Sequence, residues 1–148
     1  MLIISHRGNL SGSNPNDENN PEYIDSAIKL GFDVEIDLWR IGFDLLLGHD
    51  KPLYKVEMPF LDRYGIWIHC KNIEAAEFMT RTKSLHYFWH QNNDISITSN
   101  GFLWTYPGKQ LTKKSIAVLP ETVPEWNIKN AYGICTDYPL KYKNGTYK

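Results

Sequence analysis

At 148 residues the chain has room for one domain with a real core, so residues 1–148 are read as a single unit. A hydrophobic fraction of 42% with 14% aromatics is that of a globular protein, and a net charge of -1 gives no electrostatic case for nucleic acid. No apolar run is long enough for membrane insertion, and Met1 to His6 has neither the basic start nor the long apolar segment of a signal peptide. Cys70 and Cys135 sit inside apolar, strand-like runs and read as buried thiols of a cytoplasmic protein, while the Lys-rich end Lys141 to Lys148 reads as solvated.

Leu2-Ile3-Ile4-Ser5 is a short apolar strand that delivers His6-Arg7-Gly8 at its end. Residues Asn9 to Asn20 are rich in Gly, Ser, Asn, Asp and Pro, and form a loop long enough to suggest function. Asn20-Pro21-Glu22 then starts a helix, with Asn as cap, Pro at the first position and an acid in the first turn; Gly31 ends it. From Phe32 to Trp39 apolar and polar residues alternate with the period of a strand, which puts Glu35 and Asp37 on one face. Strand, helix and strand make a β-α-β unit with parallel strands.

Two carboxylates side by side repel, and a divalent cation with oxygen ligands would offset them. From spacing alone, a pair of solvated acids on an edge strand is an equal alternative. Leu45 to Leu47 is a further strand, ending in Gly48-His49-Asp50. The stretch to Arg63, with Pro52 and Pro59, is irregular and has a turn of helix at its end. Ile66 to Lys71 is the next strand. Asn72 then caps a helix whose Ile73, Ala76, Phe78 and Met79 are expected to face inward. Later elements shorten: strands are predicted at 86–90, 94–98, 102–106, 116–119 and 133–136, with one short helix within 120–130.

Reactive side chains recur at the C-terminal ends of these strands: His6 and Arg7, then Glu35 and Asp37, His49, His69 and Lys71, and further on Trp104-Thr105 and Asp137. In parallel α/β folds that edge carries the active site. His86 and His90 are four apart within a strand, so helical metal-ligand spacing does not apply, though His90 closes its strand and can reach the site.

His6-Arg7-Gly8, Glu18-Asn19, Glu35-x-Asp37, Gly48-His49-Asp50, Ile68-His69-Cys70-Lys71, Trp104-Thr105 and Thr136-Asp137-Tyr138-Pro139 together resemble the glycerophosphodiester phosphodiesterase family. The likeness runs in order from residue 6 to residue 139, nearly the whole chain. It implies a (β/α) TIM-type barrel, here compact and helix-depleted, that cleaves phosphodiesters with two histidines and one divalent ion. Carried over residue by residue, His6 and His49 become the acid-base pair, and Arg7 and Lys71 offset charge on the phosphoryl oxygens. Glu35 and Asp37 would hold the ion, Mg²⁺ or Ca²⁺. Glu18 would support the site, Trp104 would wall the substrate pocket, and the family often cleaves through a cyclic phosphate.

Two departures stand out. His69 stands in place of the family's third carboxylate ligand, so that either the site favours a metal that accepts nitrogen, Mn²⁺ or Zn²⁺, or His69 is not a ligand. The chain is also far shorter than the roughly 250 residues of such barrels. Bare barrel wall would promote a homo-oligomer. The expected activity is cleavage of a small glycerol- or polyol-type phosphodiester. The rival is a catalytically degenerate barrel that binds a phosphorylated ligand; a glycosidase reading of Glu35 and Asp37 leaves both histidines idle.

Overall fold

Short strands alternate with few helices in the computed structural model, which describes residues 1–145; the last part of the Lys-rich tail, residues 146–148, lies outside the described residues. The elements are β1 (Leu2–His6), α1 (Pro21–Lys29), β2 (Asp33–Ile41), β3 (Asp44–Leu47), β4 (Tyr54–Val56), α2 (Met58–Leu61), β5 (Ile66–Cys70) and α3 (Ile73–Thr80). They continue with β6 (Tyr87–Trp89), β7 (Ile95–Ile97), β8 (Leu103–Thr105), β9 (Ser115–Val118), β10 (Gly133–Thr136) and α4 (Pro139–Lys143). The fold is therefore mixed α/β and poor in helix.

All strands belong to one curled sheet. β1 lies between β10 and β2 and is parallel to both. On one side β2 pairs parallel with β5, and β5 with β6. On the other side β10, β9 and β8 are parallel, and β7 is antiparallel to β8. The far end of β2 turns back into an antiparallel hairpin with β3, extended by β4.

The expected TIM-type barrel does not close. β6 and β7 are bridged by one backbone hydrogen bond, Ser99 N–H to Tyr87 O (2.8 Å), and no ladder joins them among the described residues. The N–H of Tyr87, which a ladder across this seam could use, goes to the Ser99 hydroxyl instead (3.0 Å).

The two faces of the sheet bury different cores. The concave face holds Ile4, Trp67, Phe88, Trp104, Ile116, Val118 and Cys135. The convex face packs Val34, Ile36, Leu38, Ile66, Ile68 and Cys70 against Ile24 and Ala27 of α1 and Ala75 and Met79 of α3. Each fully buried Ile or Leu contributes about 1.5–3 kcal/mol relative to exposure. Over β7 there is no such cover among the described residues, and Ile95 (39%) and Ile97 (74%) stay exposed. No helix among the described residues is long and apolar enough to cross a membrane.

Both early helices start at their Asn caps. Asn20 accepts from the Glu22 N–H (3.0 Å), and Asn72 accepts from the Ala75 N–H (3.1 Å). Asn72 also exchanges two bonds with the backbone of Arg40, which pins the start of α3 to the end of β2. That anchoring turns Ile73 to solvent (68% exposed), against the sequence expectation, and leaves Ala75 and Met79 as the inward pair. The helix expected within 120–130 shrinks to a 3₁₀ turn, Pro120–Thr122, because Pro124 has no N–H to give the Pro120 carbonyl.

A candidate metal and acid-base site

The C-terminal ends of β1, β5, β6 and β8 and the middle of β2 meet at one end of the concave face, with the loop after β3 closing over them. A cleft of about 330 Å³ opens there, lined by His6, Arg7, Glu35, His49, His69, Lys71, His90, Trp104 and Tyr106 among others. Most of the candidate residues thus line one cleft.

The register of β2 with its neighbours explains the juxtaposition. His6 pairs with Glu35 across β1 and β2, and Asp37 pairs with His69 across β2 and β5. Parallel neighbours in register put their side chains on the same face, so all four point inward together. Glu35 and Asp37 are buried, at 2% and 0% exposure, not solvated on an edge. Gly48 delivers His49: its φ is 152° and a Cβ there would meet the Lys51 carbonyl at 2.0 Å, so only glycine fits the turn.

Glu35, Asp37 and His69 offer ligand atoms that all lie within 4.8 Å of one another. His69 donates its Nε2–H to the His90 carbonyl (2.9 Å), which in the neutral ring leaves a lone pair on Nδ1. That nitrogen lies 3.1 Å from Asp37 Oδ1 and 3.7 Å from Glu35 Oε1. Glu35 Oε2 is buried without a hydrogen-bond partner. A lone pair facing two carboxylates, with an orphaned oxygen beside them, is a donor set that a cation makes favourable. The backbone-anchored imidazole is the arrangement that holds a metal-binding histidine in one tautomer.

Charge around the two acids is unequal. Burial would raise the pKa of Asp37, but the neighbouring His49 and His69 rings and the charge of Arg7 outweigh it and hold that carboxyl well below the usual range. Glu35 is pushed up by burial and by the charge of Asp37. Asp37 Oδ2 lies 3.0 Å from Arg7 Nε and accepts from Asn19 Nδ2 (2.9 Å), and Lys71 Nζ lies 3.5 Å from Oδ1.

His6 and His49 stand on opposite flanks of this cluster. His6 Nδ1 is 2.7 Å from Asp137 Oδ1, and its Nε2 is 3.9 Å from Glu35 Oε2. Burial disfavours the charged ring, yet the Asp137 hydrogen bond and the Glu35 charge prevail and raise the His6 pKa. The more exposed His49 has Arg7 Nη2 3.3 Å from Nε2 and Lys71 Nζ 3.3 Å from Nδ1.

Other candidates take quieter places. Glu18 lies behind the cleft rather than in it, accepting from Arg7 Nη1 (3.0 Å), Asn9 (2.9 Å) and Ser13 (2.8 Å), so it holds Arg7 rather than a ligand. Trp104 lines the cleft and also belongs to the core, stacked on Phe88 at 4.4 Å. His90 is buried at the same rim. Cys70 is buried on the convex face among apolar side chains, opposite His69, as strand alternation requires.

Four further residues complete the site. Asp137 orients His6. Glu121 accepts the Asp137 N–H (2.8 Å) and the Thr136 hydroxyl (3.0 Å), clamping the end of β10. Asn19, at φ 64°, bonds both the backbone N–H and the side chain of Asp37. Tyr106 forms one wall. Asp137 and Asn19 carried signals, the first as a polar residue ending a strand and both inside the motifs of the resemblance; Glu121 looks like an ordinary loop residue.

Fold and site together define a helix-poor α/β protein that gathers carboxylates, imidazoles and cations at one end of a curled sheet. No protein-family model matches the chain, and no curated protein or solved structure matches it significantly.

Proposed function

We propose that the protein is a metal-dependent phosphodiesterase that cleaves a small glycerol- or polyol-type phosphodiester, built on a reduced, unclosed relative of the (β/α) barrel. The observation that carries this reading is the convergence of His6 and His49 on one cleft with Arg7, Lys71 and the Glu35–Asp37–His69 cluster. Phosphodiester cleavage needs a base for the attacking oxygen, an acid for the leaving alkoxide and positive charge for the phosphoryl oxygens. Each is represented by a side chain of the right type.

His6 suits the base. Asp137 holds its Nδ1–H, which directs the bare Nε2 toward the cleft, the orienting logic of an acid-histidine pair. His49, wetter and flanked by two carboxylates, with Asp37 Oδ2 3.4 Å from Nδ1 and Asp50 Oδ1 3.5 Å from Nε2, suits the acid that returns a proton to the leaving oxygen. Arg7 and Lys71 would pair with the non-bridging oxygens as charge builds. Glu35, Asp37 and His69 would hold one divalent ion, which when bound supplies positive charge to a phosphoryl oxygen. Two oxygens and one nitrogen suit Mn²⁺ or Zn²⁺ as well as Mg²⁺ or Ca²⁺. Attack by a neighbouring hydroxyl of the substrate would give a cyclic phosphate.

The test is product release from a panel of glycerophosphodiesters by metal-stripped protein, with each divalent metal restored in turn. His6→Ala and His49→Ala should each lose about 10²-fold or more in kcat. A p-nitrophenyl leaving group, which needs no proton, should rescue His49→Ala but not His6→Ala. Full rates in both variants would overturn the mechanism. Tight phosphodiester binding without turnover under any metal would instead establish the binding-only alternative.

A further inference from the structure

His90 closes β6 and is 4% exposed, yet its Nε2 has no hydrogen-bond partner among the described residues. Its other ring nitrogen is tied down, with Nδ1 2.8 Å from Ser96 Oγ. Asn93 decides which of these two atoms carries the hydrogen. The amide nitrogen of Asn93 donates to the Ile95 carbonyl (2.7 Å), which fixes that end of the side chain as the NH₂ group. The same nitrogen donates to Ser96 Oγ (2.6 Å).

Ser96 Oγ therefore accepts from Asn93, and its own hydrogen has only His90 Nδ1 to go to among the described residues. In the neutral ring the hydrogen then sits on Nε2, and a protonated ring carries one there as well. Either way His90 presents an N–H with nothing to receive it. The residue lines the same cleft as His69, Trp104 and Tyr106, and the Tyr106 ring stands edge-on at 3.9 Å, fixing the imidazole plane. A buried donor without a partner is unfavourable unless something completes it.

We propose that His90 Nε2–H is a specificity-determining donor to an uncharged oxygen on the alcohol arm of the substrate, so that the cleft prefers a hydroxyl-bearing arm to a hydrocarbon or ammonium-bearing one. The proposal rests on the phosphodiester reading. The phosphate has its own partners in Arg7 and Lys71, which leaves His90 for the arm. A hydroxyl oxygen accepts the N–H; a hydrocarbon leaves it orphaned, and an ammonium group has no lone pair to offer.

Binding tests this without turnover. Glycerol phosphate and n-propyl phosphate differ only in hydroxyls and can be titrated calorimetrically into the protein at one fixed metal concentration. Wild type should bind glycerol phosphate about 10- to 100-fold more tightly. His90→Phe should lose most of that preference while its affinity for propyl phosphate stays level. Ser96→Ala, which frees the tautomer, should lose part of it and covers the case that His90→Phe fails to fold. Equal affinities in wild type, or a preference untouched in both variants, would overturn the proposal. A preference that depends on His90 in a protein with no turnover would uphold it and sink the hydrolytic reading alone, whereas binding of neither phosphate would end both.

Discussion

His6 Nδ1 and Asp137 Oδ1 lie 2.7 Å apart, joining the end of β1 to the end of β10 across 131 residues of chain. The pair does two things. It fixes the plane of the imidazole, and it supplies the negative charge that favours protonation of the ring.

Asp137→Asn should therefore act through His6. The amide keeps the shape but removes the charge and offers the imidazole a donor on one side. A fall in kcat of about 10²-fold or more is expected, with KM nearly constant, because orientation of the base matters in the transition state. Steady-state kinetics checks it, beside a thermal melt showing that the fold survives. Unchanged kcat would mean that Asp137 is only structural.

Asn19 bonds Asp37 twice and does so from a left-handed backbone, with φ 64°. Asn19→Ala removes both bonds and leaves in the left-handed region a residue without the polar side chain that makes that conformation tolerable for Asn, at about 1–2 kcal/mol for the backbone alone. Asn19→Gly removes the bonds without the strain. Both should weaken divalent-metal affinity by about 10- to 100-fold, since the partner that orients a ligating carboxylate is gone. Calorimetric titration with Mn²⁺ measures the affinity, and urea unfolding separates the strain.

Acid should destabilise the fold partly through His86. Burial pushes its pKa down to about 4, against about 6.5 for an unfolded histidine. Between those values the unfolded chain binds a proton that the folded ring refuses, so stability falls as pH drops from about 6.5 to about 4 and its share is fully lost below that. Allowing for partial exposure, that share is about 1–2 kcal/mol. His86→Gln keeps a hydrogen bond to the Thr98 hydroxyl, 2.7 Å away in the parent, but cannot titrate. Urea midpoints measured from pH 7 to pH 4 should decline less steeply in the variant; parallel curves would exonerate His86.

Both thiols should be inert in the native protein. Cys70 and Cys135 are buried at 2% and 0% exposure, and burial pushes the Cys70 thiol up to about 12 and that of Cys135 well above its ordinary value. Thiolate, not thiol, reacts with disulfide reagents. Two equivalents of label should appear only on unfolding, and rapid labelling of either cysteine in native buffer would contradict the packing.

Much of this protein can be read from local pattern. Alternation in residues 32–39 put Glu35 and Asp37 on one face, the Asn-Pro-Glu start announced α1, and the polar residues ending successive strands marked the edge where the cleft opens. Those signals depend on neighbours a few residues away, and neighbours in sequence are what a chain states directly. The pairing of His6 with Asp137, the two bonds from Asn19 to Asp37, the clamp of Glu121 on β10 and the turning out of Ile73 all depend on which strands lie side by side and in what register. The open seam between β6 and β7 belongs with them, because whether two strands pair there depends on where the curl of the whole sheet leaves their edges. Side chains distant in sequence acquire their partners, their charge and their tautomers only when that packing is complete.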